Sequence, residues 1–307
     1  MQTTQDLSIS FSIVKGLRTN FTECEAYLNT ASPDILALCE TNLDESISSS
    51  SFMVPGYLPL IRLDSTIHMH GLGVFVKDNL PFARVPLLEL EGESFMCFRL
   101  SLIHSTSFIF FLYRSQSSTS FSVLEAISNS IDKALSQYPS ANFFVFGDFN
   151  VHNSDWLKFS NGIDIPGQNC YNFAVSHDFT QMVEFPTRTP DSVAQRPSLL
   201  DLFLTSSPDS CSVKPMPALG NSDHCVVAVT IDFVTQNVKD APFHRKVHDY
   251  TRADWDGFRD HLRDIPWDNI LERGVHYAAT EFSEWVRLGM DVYVPHREFQ
   301  VTPHSSP

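Results

Sequence analysis

The chain of 307 residues is long enough for one large domain or two small ones. With 43% hydrophobic residues and 25 Phe it carries enough apolar matter for a sizeable core, which excludes disorder through most of its length. Lys and Arg number 21 against 36 Asp and Glu; the net charge of −15 excludes nucleic-acid binding by bulk charge, but not a local, metal-charged site that meets phosphates.

In chain order, Leu7, Ile9, Phe11 and Ile13 alternate with polar residues, the period of a half-buried strand. A helix is expected over 21–28. Ser32-Pro33-Asp34 stops it and launches the apolar run Ile35-Leu36-Ala37-Leu38-Cys39, which ends at Glu40. The serine run at 48–51 reads as a surface loop. Strands are expected over 73–77, 95–103 and 107–113, all rich in aromatic and branched residues. Apolar residues at 121, 124, 127, 131 and 135 have a helical period. The buried strand that follows, 142–146, runs into Gly147-Asp148-Phe149-Asn150. A helix over 169–174 and strands over 199–204 and 225–233 close the pattern.

Near 238 the texture changes to Trp- and charge-bearing helical patterns at 252–264 and 276–290. The expected division is a main domain over 1–237 and a helical connector over 238–307, with Trp255, Trp267 and Trp285 anchoring the connector to the main domain. The six cysteines are too dispersed for a C-x-x-C motif, a structural zinc spacing or a dense disulfide framework. The first residues lack the basic and apolar regions of a secretory signal, and the apolar run 108–113 is strand-sized. A reducing compartment and no membrane partner are expected.

Several apolar runs end in acidic or amide side chains: Glu40, Asp148 with Asn150, Asp201, and Asp223-His224 just before the last strand. Any one of these alone reads more readily as a solvated cap. Converging at one sheet edge, they would make an oxygen-rich site for a hard cation such as Mg²⁺, and would repel one another without a metal or a proton. Asp223-His224 sets a carboxylate beside the side chain best suited to general-base work near neutral pH.

The strings Leu38-Cys39-Glu40-Thr41, Leu112-Tyr113-Arg114, Gly147-Asp148-Phe149-Asn150, Ser198-Leu199-Leu200-Asp201-Leu202 and Gly220-Asn221-Ser222-Asp223-His224 stand in the order of the endonuclease/exonuclease/phosphatase superfamily. Within it the chain most resembles the apurinic-endonuclease-like domain of LINE-type non-LTR retrotransposon polyproteins, over about residues 8–235. The resemblance implies an α+β fold, a DNase I-like four-layer α/β-sandwich of two packed mixed sheets with outer helices. It implies a Mg²⁺-dependent enzyme (Mn²⁺ as a substitute) that nicks DNA, in the nucleus, with a reverse transcriptase in cis in the full-length element. It further implies Glu40 as the main metal ligand, Asp148 on the attacking water and Asn150 on the scissile phosphate. Tyr113 would donate to a phosphate oxygen, Asp201 would join the polar network, and Asp223 would hold the tautomer of His224. Ser222 and, more weakly, Thr187 would contact phosphate.

Other residues have plainer readings. His152 reads as a loop histidine beside the Asp-Phe-Asn segment, and metal binding by His68 and His70 as a minor alternative to a loop. Arg114 and Arg188 divide equally between DNA backbone and surface ion pairing. The chain departs from the family in the first strand, where the usual asparagine of Asn-x-Arg-Gly-Leu falls on Ile13 of Ile13-Val14-Lys15-Gly16-Leu17. Asn20, the nearest amide, reads as a helix cap. That departure keeps two rival functions open: a nuclease-like remnant whose site has decayed, and a small-molecule phosphoesterase of the same superfamily.

Overall fold

The computed structural model describes residues 5–65, 70–101, 105–116, 121–190, 196–233, 243–272 and 274–301. The chain divides into two compact units, one of Met1–Ala134 with Ser140–Val238 and the other of Leu135–Pro139 with Lys239–Pro307.

The first unit begins with β1 (Gln5–Ile13), α1 (Leu17–Thr30), β2 (Ile35–Cys39), β3 (Ile61–Leu63), β4 (Leu72–Val76) and β5 (Phe82–Arg84). It continues through β6 (Phe95–Ser101), β7 (Thr106–Tyr113), α2 (Ser122–Gln137), β8 (Asn142–Asp148) and α3 (Ile165–Ser176). It closes with β9 (Thr180–Gln181), β10 (Asp201–Thr205), β11 (Cys211–Met216) and β12 (Val226–Phe233). One six-stranded sheet has the order β11-β12-β1-β2-β4-β3, the other β5-β6-β7-β8-β10-β9. Each is mixed, through the parallel pairs β1–β2 and β7–β8.

The alternation of β1 decides which face meets what. Phe11, from its apolar face, meets Phe146 of β8 at 4.9 Å between ring centroids, and Cys39 Sγ lies 3.6 Å from the Leu112 carbonyl, so the two sheets pack face to face. Phe146 also neighbours Phe111 and Phe203, and this aromatic layer is fully buried. Ser10, on the other face, bonds the Tyr27 hydroxyl of α1 at 2.9 Å. Leu17, Cys24 and Leu28 of α1 join Leu36, Leu38 and Phe75 in a cluster that covers the outer face of the first sheet. Buried Leu124, Ile127 and Ile131 of α2 and Phe173 of α3 supply the fourth layer. The result is the four-layer α/β-sandwich the resemblance implied.

Helix ends differ from the sequence reading for local reasons. α1 starts at Leu17 because that residue is itself buried and shares the stripe of Cys24 and Leu28. α3 starts at Ile165, where Asp164 accepts a hydrogen bond from the Gly167 N–H and Pro166 suits the first turn. Asn20 is not a cap: it sits inside α1, and its Nδ2 donates to the carbonyl of Val14 at 2.9 Å, tying down the turn after β1.

The second unit is not wholly helical. β13 (Phe243–His248) and β14 (His296–Val301) pair antiparallel and flank α4 (Trp255–Arg263), α5 (Trp267–Leu271) and α6 (Val275–Tyr293). Trp255 meets Tyr250 and Phe258, Trp267 meets Phe282, and Trp285 meets His261, all within this unit.

His177, closing α3, packs against Phe173 and Phe179 and bonds Ser128 Oγ of α2 at 2.7 Å. Burial pulls its pKa from the ordinary 6.5 down to about 4. The unfolded chain therefore takes up this proton first as pH falls. The stabilisation is fully present above about pH 6.5 and is lost toward pH 4, at most roughly 3–4 kcal/mol. Urea unfolding midpoints at pH 7 and pH 4.5 should draw closer together in His177→Phe; an unchanged gap would contradict this.

Candidate active site

Register brings the strand ends together. Ile13 pairs with Cys39, so Glu40 follows at the same end of the first sheet as the exit of β1. In the second sheet Tyr113 pairs with Asp148, and Asp148 with Asp201, setting three polar residues side by side on β7, β8 and β10. The Tyr113 hydroxyl crosses between sheets and donates to Glu40 Oε1 at 3.0 Å. Between them opens a pocket of about 540 Å³, lined by Glu40, Tyr113, Asp148, Asn150, Asp223 and His224 and walled by Ile13 and Lys15.

Gly147 makes this register possible. A Cβ there would stand 1.9 Å from the Leu112 carbonyl oxygen, and its φ is +140°. Beyond it, Asn150 takes a left-handed φ of 47° and folds back on Asp148. Its Nδ2 donates to Asp148 Oδ2 at 2.6 Å and to the Arg114 carbonyl at 2.8 Å. Both amide hydrogens are thereby committed, so Asn150 holds Asp148 in place rather than presenting a donor to phosphate.

The imidazole is held differently from the expectation. His224 Nδ1 donates to Asp201 Oδ2 at 2.7 Å, and both side chains are buried. Asp223 faces away to a cationic clasp, Lys15 Nζ at 2.6 Å and Arg188 Nε at 2.8 Å. The reason is topological: the Arg188 backbone bridges His224, and β10 delivers Asp201 from below. Neighbours in sequence point apart, while residues 23 positions apart meet.

Other sites move likewise. Thr187 is fully buried, and its Oγ1 accepts the N–H groups of Leu200 and Asp201, each at 3.1 Å, so it pins the start of β10 instead of meeting phosphate. Ser222 Oγ accepts the His224 N–H at 3.2 Å and shapes that turn. Arg114 is no surface residue: buried at 4% exposure, it donates to the Asn150 carbonyl at 2.8 Å. Arg188 is an ion-pair partner that also lines the pocket. His152 lies in a neighbouring open pocket of about 670 Å³ with Arg188 and Arg196. His68 lies outside the described residues, and His70 sets its ring edge-on to Tyr113 at 5.1 Å. Lys15 and Gln116 also line the Glu40 pocket and were not singled out as site residues, since nothing in their spacing signals this placement.

The electrostatics follow from burial. Burial, then the Asp201 charge, push the Asp148 pKa well above the ordinary carboxyl value, against the pull of His224. Burial also raises Glu40, against the hydrogen bond from Tyr113. Burial would lower His224, but the charge and hydrogen bond of Asp201 overcome it and hold the pKa at about 9. Asp223 runs the other way: burial would raise it, but hydrogen bonds from Lys15 and Arg188 hold it at about 2.

A hard cation fits this donor set. Oxygen donors crowd the pocket, and their carboxyl groups resist charging without a neighbouring cation. Among the described residues, however, the pocket does not gather three ligand atoms within 4.8 Å.

A family model described as endonuclease-reverse transcriptase matches residues 107–228. No curated protein matches the sequence. Among solved structures, the endonuclease domain of TRAS1, a telomere-specific non-LTR retrotransposon, superposes with a TM-score of 0.59 at 15% identity, covering 74% of this chain and 98% of that one. The apurinic endonuclease LMAP from Leishmania major gives 0.59 at 17% identity, covering 74% and 88%. The 3′-5′ exonuclease NExo from Neisseria meningitidis gives 0.58 at 17% identity, covering 74% and 100%. At these identities the structures speak for the fold, and the family model adds a match in sequence.

The close approach at Gly147 carries its own test. Gly147→Ala must push β8 from β7, at a cost of about 3 kcal/mol or more. Denaturant unfolding should reveal that loss, and a stability equal to wild type would contradict the register described.

Proposed function

We propose that this protein, a member by sequence match and fold of the endonuclease/exonuclease/phosphatase superfamily, is a metal-dependent endonuclease that nicks DNA and derives from a non-LTR retrotransposon. The observation that carries the reading is the convergence of Glu40, Tyr113, Asp148 and His224 in one pocket between the ends of two sheets. Supporting it are the family model and the endonuclease neighbours. A DNA substrate sets its work in the nucleus, and a reverse transcriptase in cis would extend the 3′-hydroxyl it leaves.

In this reading the chain's own groups divide the task. Asp148, locked by Asn150, orients the attacking water and accepts its proton, for which an elevated pKa suits it. His224, kept protonated by Asp201, stabilises negative charge on the phosphate. Tyr113 aligns Glu40 through its hydroxyl. Mg²⁺ or Mn²⁺ on Glu40, when bound, would neutralise charge on the phosphate and leaving oxygen.

Ile13 weakens this machinery. It is 3% exposed, lines the pocket, and offers no hydrogen bond where the family carries an amide. Losing such a bond to a charged group costs about 1.5–3 kcal/mol, or roughly ten- to a hundredfold in rate. Asn20 does not replace it, since its Nδ2 is spent on the Val14 carbonyl.

Supercoiled plasmid incubated with Mg²⁺ is expected to be nicked slowly, and not at all by Asp148→Ala or His224→Ala. Ile13→Asn should nick at least several-fold faster, with stability within about 1–2 kcal/mol of wild type. Full activity in Asp148→Ala would refute the site. If neither wild type nor Ile13→Asn nicks, the chain is a folded remnant of a nuclease.

A further inference from the structure

The second unit gathers ligand chemistry that the nuclease reading does not use. His248 ends β13, His296 opens β14, and the antiparallel register sets them directly opposite. Asp291, in the last turn of α6, joins them. One ligand atom from each of the three residues lies within 4.8 Å of the others, and no other such group of His, Cys, Asp and Glu occurs among the described residues.

Two details distinguish this cluster from a chance meeting. His248 Nε2 is buried with no hydrogen-bond partner among the described residues. It stands 3.9 Å from Asp291 Oδ1, too far for a hydrogen bond. His296 Nδ1 lies 3.3 Å from the Val294 carbonyl; an N–H given there leaves the ring's lone pair on Nε2, as in imidazoles oriented for coordination.

We propose that His248, Asp291 and His296 bind a borderline divalent transition-metal ion, with Zn²⁺ as its representative. Two imidazoles and one carboxylate are the donors such an ion favours, whereas Mg²⁺ takes oxygen ligands. Ligands about 2.0–2.1 Å from a tetrahedral ion stand roughly 3.4 Å apart, so atoms within 4.8 Å of one another close the site by side-chain adjustments of at most about 1.4 Å per pair. The fourth position takes water. Bound there, the ion would tie the β13–β14 pair to the end of α6, a staple that suits a small unit.

Lys246 sets the strength. Its Nζ holds Asp291 Oδ1 at 2.7 Å, so the ammonium and the metal compete for one carboxylate. Without a metal site, the same residues are the end of a strand pair in which His248 stacks on Tyr250, indifferent to zinc.

The test is calorimetric titration of the chelator-stripped full chain with Zn²⁺, read beside Mg²⁺ and the visible spectrum with Co²⁺. One zinc equivalent should lose at least about tenfold in affinity in His248→Gln and in His296→Gln. It should gain several-fold in Lys246→Met and persist in Glu40→Gln, which separates it from the nuclease pocket. Co²⁺ should give the intense bands of a four-coordinate ion, lost in Asp291→Asn. Far-UV dichroism checks that each variant folds, and Lys246→Met keeps the test open should a histidine variant fail. Absence of binding, binding unchanged in both histidine variants, or loss in Glu40→Gln instead would overturn the proposal.

Discussion

Glu40, Asp148 and Asp201 approach one another where two sheets end, and two of them, Asp148 and Asp201, are almost fully buried. Carboxyl groups so placed cannot all be charged in a dry pocket unless something positive shares it. His224 is that group within the chain, drawn in by Asp201 and kept protonated. A second positive pair, Lys15 and Arg188, is turned onto Asp223 instead. The arrangement leaves the pocket short of positive charge, which is where a divalent ion and a phosphodiester become complementary to it.

The rest of the first unit holds those charges in register. Phe11 against Phe146 fixes how the two sheets face each other, and Gly147 lets β8 lie close to β7. Arg114, buried beneath the 148–150 turn, gives Nη1 to backbone carbonyls there, and Thr187, buried under β10, accepts backbone N–H groups. These residues touch no substrate in the proposed reaction. Each satisfies buried groups that would otherwise let Asp148 or Asp201 drift.

Much of the sandwich was legible because its signals are local. The alternation of β1 and the abrupt end of β2 at Glu40 are properties of short stretches, as is the run into Gly147-Asp148-Phe149-Asn150. Partnerships were less legible, because they depend on strands distant in sequence. Asp223 adjoins His224 in the chain, yet Asp201 binds the ring, while Asp223 turns to Lys15 and Arg188. Asn150 carries donors suited to phosphate, and only its hydrogen-bond partners reveal that the Arg114 carbonyl and Asp148 use them first, just as only the partners of Thr187 show its oxygen accepting the Leu200 and Asp201 N–H groups. The β13–β14 pairing that sets His248 opposite His296 joins the two ends of a helical stretch and escaped for the same reason.

The central claim is that the Asp201–His224 pair, rather than the adjacent Asp223, makes the imidazole useful. Single-turnover nicking of supercoiled DNA by excess enzyme, compared across wild type, Asp201→Asn and Asp223→Asn, tests it most directly. Asp201→Asn should cost about 10²–10³ in rate, the scale of a lost group that stabilises developing charge. Asp223→Asn should cost less than about tenfold, because it loosens only the Lys15–Arg188 clasp. The reverse order, with Asp223→Asn the more damaging and Asp201→Asn near wild type, would contradict the account.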